Sequence, residues 1–428
     1  MPANCRRWKC AASCCLNPHT TLMSESPSRG KIPALEGLRG YLALWVVVTH
    51  LFQFSGHPLL GLPVISLLTS GHHAVNVFMI LSGFVIALLI HQRPEPYGAY
   101  IRRRFLRIYP VLFFGVLLGV VVHPMRGELL ANWWPAFFDQ DTLFYFTQCW
   151  QAFDSNIIAY AICDFTMTNG IVPNFVLPYV AVAFNGVAWS LSLEFQFYLL
   201  APWLCAIFQP LREHLVKVCL GVFAVMALRN FVFPASNGLT WSSHGAFLPF
   251  NIEWFVIGIL SYHLRNYLLE ARNQQLININ LLPVTLVISL LLTRSRADEL
   301  LGTGFEWVIG DALPLMIWIY ALCYMIDCDA GRTGLLNKLA KTALESPAAL
   351  FIGSISYSIY LLHNPVIIFV EWAVVRHLDI HTWQTCFLVT SAISLPLILG
   401  LATLSYRHIE LPFIRSIKKA PRPALTTA

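Results

Sequence analysis

The 428-residue chain is 57% hydrophobic and 12% charged, with a mean hydropathy of +0.62. A soluble domain of this length carries about twice that share of charge, so the composition excludes a soluble globular protein and predicts an all-α, polytopic transmembrane bundle. The formal charge of +6 is read as a sign of membrane topology, and no nucleic-acid partner is expected.

Residues 1–32 read as a cytoplasmic leader. Cys5, Cys10, Cys14 and Cys15 crowd its start; a metal knuckle or palmitoylation sites are conceivable, but no second ligand pair answers them. A tail of little consequence is the favoured reading, with Met23 an alternative start. The segment lacks the clean apolar core and cleavage site of a secretory signal.

Apolar runs close to the roughly 20 residues needed to cross a bilayer then recur, and ten spans are predicted. They lie near 33–52, 74–91, 105–122, 187–208, 214–233, 246–264, 276–293, 305–327, 350–375 and 383–405. With the N-terminus in the cytoplasm, the inner side receives Arg102, Arg103, Arg104, Arg265, Arg332, Lys338, Lys341, Arg407 and Arg415 among many others. The outer side receives only Arg126, Arg294, Arg296 and Arg376. That asymmetry is the positive-inside pattern, so both termini are expected in the cytoplasm and the location in a cell (inner) membrane. Residues 33–405 form one transmembrane domain, and residues 406–428 a cytoplasmic tail.

The long outer loop, residues 123–186, is rich in aromatic residues, as in NWWPAFFDQD from Asn132 to Asp141. Such residues suit the membrane interface or sugar stacking, the interface being the simpler cause. A short helix is expected near 155–167. The chain shows no repeat, Gly/Ser linker or extra soluble domain.

Ionisable residues inside spans are expensive to keep and mark candidate sites. LRGYLALWVVVTHLF, from Leu38 to Phe52, sets Arg39 eleven residues before His50. On a helix the two lie near one face, roughly 16 Å apart. His50 is either a satisfied histidine at a helix interface or a neutral catalyst, acting as general base or direct nucleophile.

In AYIRRRFLRIYP, from Ala99 to Pro110, Arg103, Arg104 and Arg107 stand at the mouth of the third span. Basic residues there are routine anchors. Arg104 and Arg107 nevertheless share a helical face, and Arg107 lies a turn inside the apolar run, so the three also fit a site for phosphates. Glu194 and Gln196 interrupt the apolar fourth span, where a carboxylate must be paired, protonated or facing a cavity; Glu194 is expected to orient His50, bind an acceptor or pair with an arginine. Ser82 and Gly83 read as close helix packing. Ser356, Tyr357 and His363 lie in the ninth span, with His363 read as packing and Pro365 as a kink. No convincing metal site is seen.

Taken in order, Arg39 with His50, the R-x-x-R of Arg104 and Arg107, LSGF, WSLSLEFQFYL, SYSIYLLHNPV and the closing SYRHIELPF (Ser405 to Phe413) resemble the acyltransferase-3 family of integral membrane acyltransferases. The resemblance runs from about residue 32 to 413. It implies a ten-helix bundle that moves an acyl group, usually acetyl from cytoplasmic acetyl-CoA, to a hydroxyl on a glycan or similar acceptor. It also implies His50 as the essential histidine with Arg39 its partner, Arg104 and Arg107 as the pair engaging CoA phosphates, and Glu194 as the acidic position of the WSL motif.

Three positions depart from the family pattern: Asn76, where many members have Asp; Asn364, where many have Trp; and Leu411, in place of a common Arg or Lys. Some relatives carry a further extracytoplasmic esterase-like domain, so a separate extracytoplasmic transferase partner is a further expectation.

The expected function is therefore an acyl-CoA-dependent O-acyltransferase of polysaccharide modification, with His50, Arg39 and Glu194 catalytic, Arg103, Arg104 and Arg107 holding the acyl-CoA, and no metal. Its partners would be the lipid bilayer and a surface glycan or lipid-linked sugar. The competing reading is a multipass transporter or flippase of a lipid-linked sugar, which internal repeats would favour.

Overall fold

A computed structural model describes residues 32–56, 68–92, 94–208, 245–269, 312–378, 380 and 382–419. All regular structure among them is helical. The predicted spans 214–233 and 276–293 lie outside the described residues. In chain order the main helices are α1 (Pro33–Phe54), α2 (His72–Gln92), α3 (Tyr97–Asn132), α4 (Gln140–Ser155), α5 (Ile157–Phe165) and α6 (Trp189–Phe208). There follow α7 (Ile252–Leu269), α8 (Ala312–Asp329), α9 (Leu335–Leu344), α10 (Pro347–His377), α11 (Trp383–Ser405) and α12 (Leu411–Lys419).

By length and hydropathy α2, α3, α6, α10 and the run Trp383–Arg415 can each cross a membrane. Of the apolar window of α10, 83% is buried, against 22% for Trp383–Arg415, which makes α10 the central helix and α11 a peripheral one. Peripheral faces are apolar. On α3, Phe113, Phe114, Leu117, Leu118 and Val121 are all exposed at helical spacing on one side, the mark of a surface solvated by lipid rather than water.

Two glycine-lined crossings bring backbones into contact. A methyl group at Gly353 of α10 would run into the Glu36 carbonyl of α1, and one at Gly40 would come within 2.9 Å of the Gly353 nitrogen. At the second crossing, Gly83 of α2 lies against the Phe255 carbonyl of α7. Gly83 thus does what its motif suggested, allowing close approach where apolar burial alone gives little drive.

Side-chain contacts fix the direction of each helix. His50 meets His363 and Gly40 meets Gly353, so α1 and α10 run parallel. Tyr357 and Trp372 of α10 donate to the Ile108 carbonyl and to Glu128 of α3, so α3 runs with them. Tyr97 lies 5.0 Å from Trp203 and Phe105 lies 6.1 Å from Phe195 between ring centroids, which makes α6 antiparallel to α3. Gly83 beside Phe255 and His91 beside Tyr262 set α7 parallel to α2. The Ser261–Trp318 hydrogen bond and the Arg265–Asp329 ion pair set α8 parallel to α7. Gly71 against Thr49 and His73 beside Trp45 set α2 antiparallel to α1, so α6, α7 and α8 share one direction, opposite to α1, α3 and α10.

The helix that contains the predicted third span, 105–122, extends beyond it at both ends. Helix α3 continues to Asn132 through Pro124, taking in His123 and Arg126, which the sequence assigned to the outer loop. What remains of that loop is largely helical. Asp139 caps α4 by accepting from the Thr142 backbone N–H at 2.9 Å, and Asn156 caps α5 through Ala159. The short helix expected near 155–167 is α5.

Phe153, Tyr160, Cys163 and Phe184 form a small core of their own. Asp164 is buried beside it, accepting from Asn169 Nδ2 at 2.9 Å and from the Phe184 backbone N–H at 3.3 Å. Burial raises its carboxyl to about 7, against the opposing pull of the Phe184 N–H, Asn169 and the Asn185 N–H. Beyond Ser405 the chain stays helical, through a π-helical turn at Tyr406–Glu410 into α12.

Candidate active site

A cavity of about 110 Å³ opens where α1, α2, α3, α6 and α10 converge. Its polar wall carries Arg39, Arg107 and Glu194, three residues singled out in the sequence, together with Ser82, Tyr198 and Tyr357. Its apolar wall carries Val75, Phe78, Met79 and Phe255.

Glu194, Arg107 and Tyr357 are each held by a group on another segment. Glu194 Oε1 accepts from Ser82 Oγ at 2.9 Å and from Tyr198 Oη at 2.5 Å. These two hydroxyls partly replace the water that a carboxylate in an apolar bundle has lost. Arg107 Nη1 lies 3.8 Å from Glu410 Oε1. The Glu410 side chain is buried, and its other oxygen accepts from Ser358 Oγ at 3.4 Å. Arg39 makes no salt bridge among the described residues, so its guanidinium lines the cavity with its charge uncompensated at contact distance.

The remaining sequence-predicted cations stand outside the cavity lining. Arg104 lies over the ring of Tyr198, 5.9 Å from its centroid, and over Tyr100 at the same distance. It therefore touches the cavity wall from behind. Arg103 is ion-paired with Glu95. Both Arg103 and Arg104 keep a buried Nε with no hydrogen-bond partner among the described residues.

His50 is not in the cavity lining; its neighbour is His363. His363 Nε2 is 3.2 Å from His50 Nδ1, with ring centroids 5.0 Å apart. His50 Nδ1 is also 2.9 Å from the Val46 carbonyl, and His363 Nδ1 is 3.2 Å from that of Ile359. Tyr360 links the pair to the cavity: it lines the cavity, exchanges a 2.8 Å hydrogen bond with Ser190, and packs edge-on against His363 at 6.1 Å. Glu194 makes no hydrogen bond to His50 among the described residues.

Sequence reasoning missed the roles of His363, Tyr198 and Glu410. His363 and Glu410 were legible only as parts of motifs. Their partners lie 313 and 303 residues away in the chain, and no local pattern encodes such a meeting. Gln196, the other polar interruption of α6, is structural: it donates to the Ala246 carbonyl and accepts from the Leu248 N–H, both at 3.0 Å. Among the described residues no group of three His, Cys, Asp or Glu side chains is placed to hold a metal ion.

A membrane-embedded helical bundle with a charged cavity at its centre is the class of protein that fold and site define. Residues 32–403 match the acyltransferase-3 family, described as an acyltransferase domain, and the chain belongs to that family.

Among curated proteins it is similar to the acyltransferase MdmB of Streptomyces mycarofaciens, 25% identical over 79% of each chain. It is also similar to the O-acetyltransferase OatA of Staphylococcus aureus, 22% identical over 91% of this chain and 58% of that protein. A shorter stretch, 22% of this chain and 47% of the relative, is 35% identical to protein 2 in the picA locus of Rhizobium radiobacter. No solved structure matches the chain. Family membership makes the protein a membrane acyltransferase and weighs against the transporter reading.

Proposed function

We propose that the protein transfers an acyl group, acetyl first among candidates, from cytoplasmic acyl-CoA to a hydroxyl of a surface glycan, lipid-linked sugar or similar acceptor. The observation that carries this reading is the cavity joining Arg39, Arg107 and Glu194 beside the His50–His363 pair. It offers cations for an anionic donor, an apolar wall for an acyl chain and a histidine nearby. The similarity to OatA, an O-acetyltransferase, favours oxygen as the acceptor atom and acetyl as the group.

The residues divide the work. Arg39 and Arg107 attract the donor's negative charge, with Arg104 and Arg103 continuing the positive surface toward the start of α3. His50 acts as general base: it takes the proton of the acceptor hydroxyl as the oxygen attacks the thioester carbonyl, and returns it to the sulfur as the carbon–sulfur bond breaks. Glu194, fixed by Ser82 and Tyr198, balances Arg39 and Arg107 and keeps the cavity polar.

The topology follows the same logic. The helix directions put Arg102, Arg103, Arg104, Arg265, Arg332, Lys338, Lys341, Arg407 and Arg415 at the Arg39 end of the bundle, while Arg126 and Arg376 lie at the other. The positive-inside rule makes the Arg39 end cytoplasmic, and the shared direction of α6, α7 and α8 favours ten alternating spans in an inner membrane. An acceptor then approaches from the outer side, directly or through a separate extracytoplasmic transferase.

The test is mass spectrometry of surface glycans and lipid-linked precursors from cells with the intact gene, a deletion, and a deletion carrying His50→Ala. An ester mass present with the intact gene and absent in both others supports the reading and names the acyl group. An ester restored by the variant removes His50 from its role, and no ester in any strain removes the glycan acceptor.

A further inference from the structure

The His50–His363 contact assigns a proton to each ring. A carbonyl oxygen only accepts, so Ile359 O requires the hydrogen of His363 to sit on Nδ1, 3.2 Å away. A neutral imidazole has one N–H, so Nε2 of His363 is a bare acceptor. That acceptor and the Val46 carbonyl converge on His50 Nδ1, at 3.2 and 2.9 Å. Two acceptors facing one nitrogen require a hydrogen on it, shared between them. His50 Nε2 is then left without a hydrogen, the state a general base needs.

We propose that His363 is a positioning residue that fixes His50 as its Nδ1–H tautomer and shares the imidazolium charge that forms when Nε2 takes the acceptor's proton. The inference rests on the reading of His50 as the base. His363 is not that base itself: it is 0% exposed, and both its nitrogens are engaged. His50 is only half-buried. In a serine-protease triad the corresponding place, behind the base, is held by a carboxylate. Here no carboxylate hydrogen-bonds either ring among the described residues, and a second, neutral histidine supplies the acceptor instead. A neutral partner suits the interior of a bilayer protein, where a lone carboxylate costs more to bury.

The parallel crossing of α1 and α10 makes the contact possible. Gly40 meets Gly353 at one end, and ten residues further along each helix His50 meets His363. Only helices running the same way, in backbone contact, bring those two rings into register.

The test compares His363→Leu, which fills the space without an acceptor, with His363→Gln, whose Oε1 reaches the position of Nε2. The readouts are alkali-labile acyl ester on the cell surface and ¹⁵N NMR of ring-labelled histidine in purified protein, with His50 assigned through His50→Ala. Expected are wild-type abundance and melting temperature for both variants. Ester should fall about tenfold in His363→Leu, the equivalent of one hydrogen bond to a forming charge, and stay within about threefold of wild type in His363→Gln. The spectrum should show His50 protonated on Nδ1 and bare on Nε2.

Equal losses in the two variants, or full ester in His363→Leu, overturns the proposal, as does a His50 protonated on Nε2. Ester made by His50→Ala overturns the base reading and with it the shared imidazolium charge, while the tautomer assignment then stands or falls on the spectrum alone.

Discussion

At the scale of single residues, buried polar groups in this protein survive by finding partners on distant segments. Glu194, Glu410 and His363 each take hydrogen bonds or charge from another helix, Glu194 from Ser82. Asp164, in the segment between α3 and α6, is the clearest case outside the spans. Its folded carboxyl titrates at about 7, well above that of an unfolded chain.

The folded state therefore holds its proton more tightly, and the unfolded state releases it first. Stability is fully present below about 4 and declines as pH rises through about 7, by up to about 4 kcal/mol. Limited proteolysis or hydrogen exchange of residues 140–185 between pH 4.5 and pH 8 reads this directly. Protection should fall as pH rises, and Asp164→Asn should flatten the dependence. Protection that instead increases with pH contradicts the assignment.

At the scale of elements, the α1–α10 crossing does most to build the site. It depends on glycine at Gly40 and Gly353, because any Cβ there meets backbone rather than a movable side chain. A Gly353→Val change must push the two helices apart, an overpacking cost of about 1–3 kcal/mol. It should also separate His50 from His363, so ester formation falls further than the stability loss alone explains. Gly400→Val on α11, where nothing lies within 4 Å of an added Cβ, is the control and should leave both unchanged. Melting temperature in detergent together with surface ester measures the two effects. Equal behaviour of the two variants means that the crossing is not what positions the histidines.

At the scale of the whole molecule, the helix directions and the distribution of arginine and lysine predict which loops face which compartment. In a background without native cysteines, Asp141→Cys, exposed in the first turn of α4, should react with a membrane-impermeant thiol reagent in intact cells. Gly331→Cys, between α8 and α9, should react only after permeabilisation. The reverse pattern inverts the bundle and places the cationic cavity on the wrong side for a cytoplasmic donor.

Much of this protein is legible without coordinates. Hydropathy alone marks the helices α1, α2, α6, α7, α10 and α11 to within a few residues, and of these α2, α6, α10 and the run that begins with α11 are long and apolar enough to cross a membrane, where the backbone must be helical. Arg39, His50, Arg107 and Glu194 stand out because ionisable groups are rare in such spans.

Hydropathy does not mark the end of α3, since a helix that leaves the apolar layer needs no apolar run to continue, and α3 passes through Pro124 to Asn132. It also leaves His363 indistinguishable from a packing residue and Glu410 in a presumed tail. Which charged groups share the cavity, which arginine is taken by Glu410, and which histidine stands behind His50 are all matters of helices crossing hundreds of residues apart. Composition is set by the solvent each residue meets, so the sequence carries it; partnership is set by the angle and register of packing, and only the tertiary structure decides it.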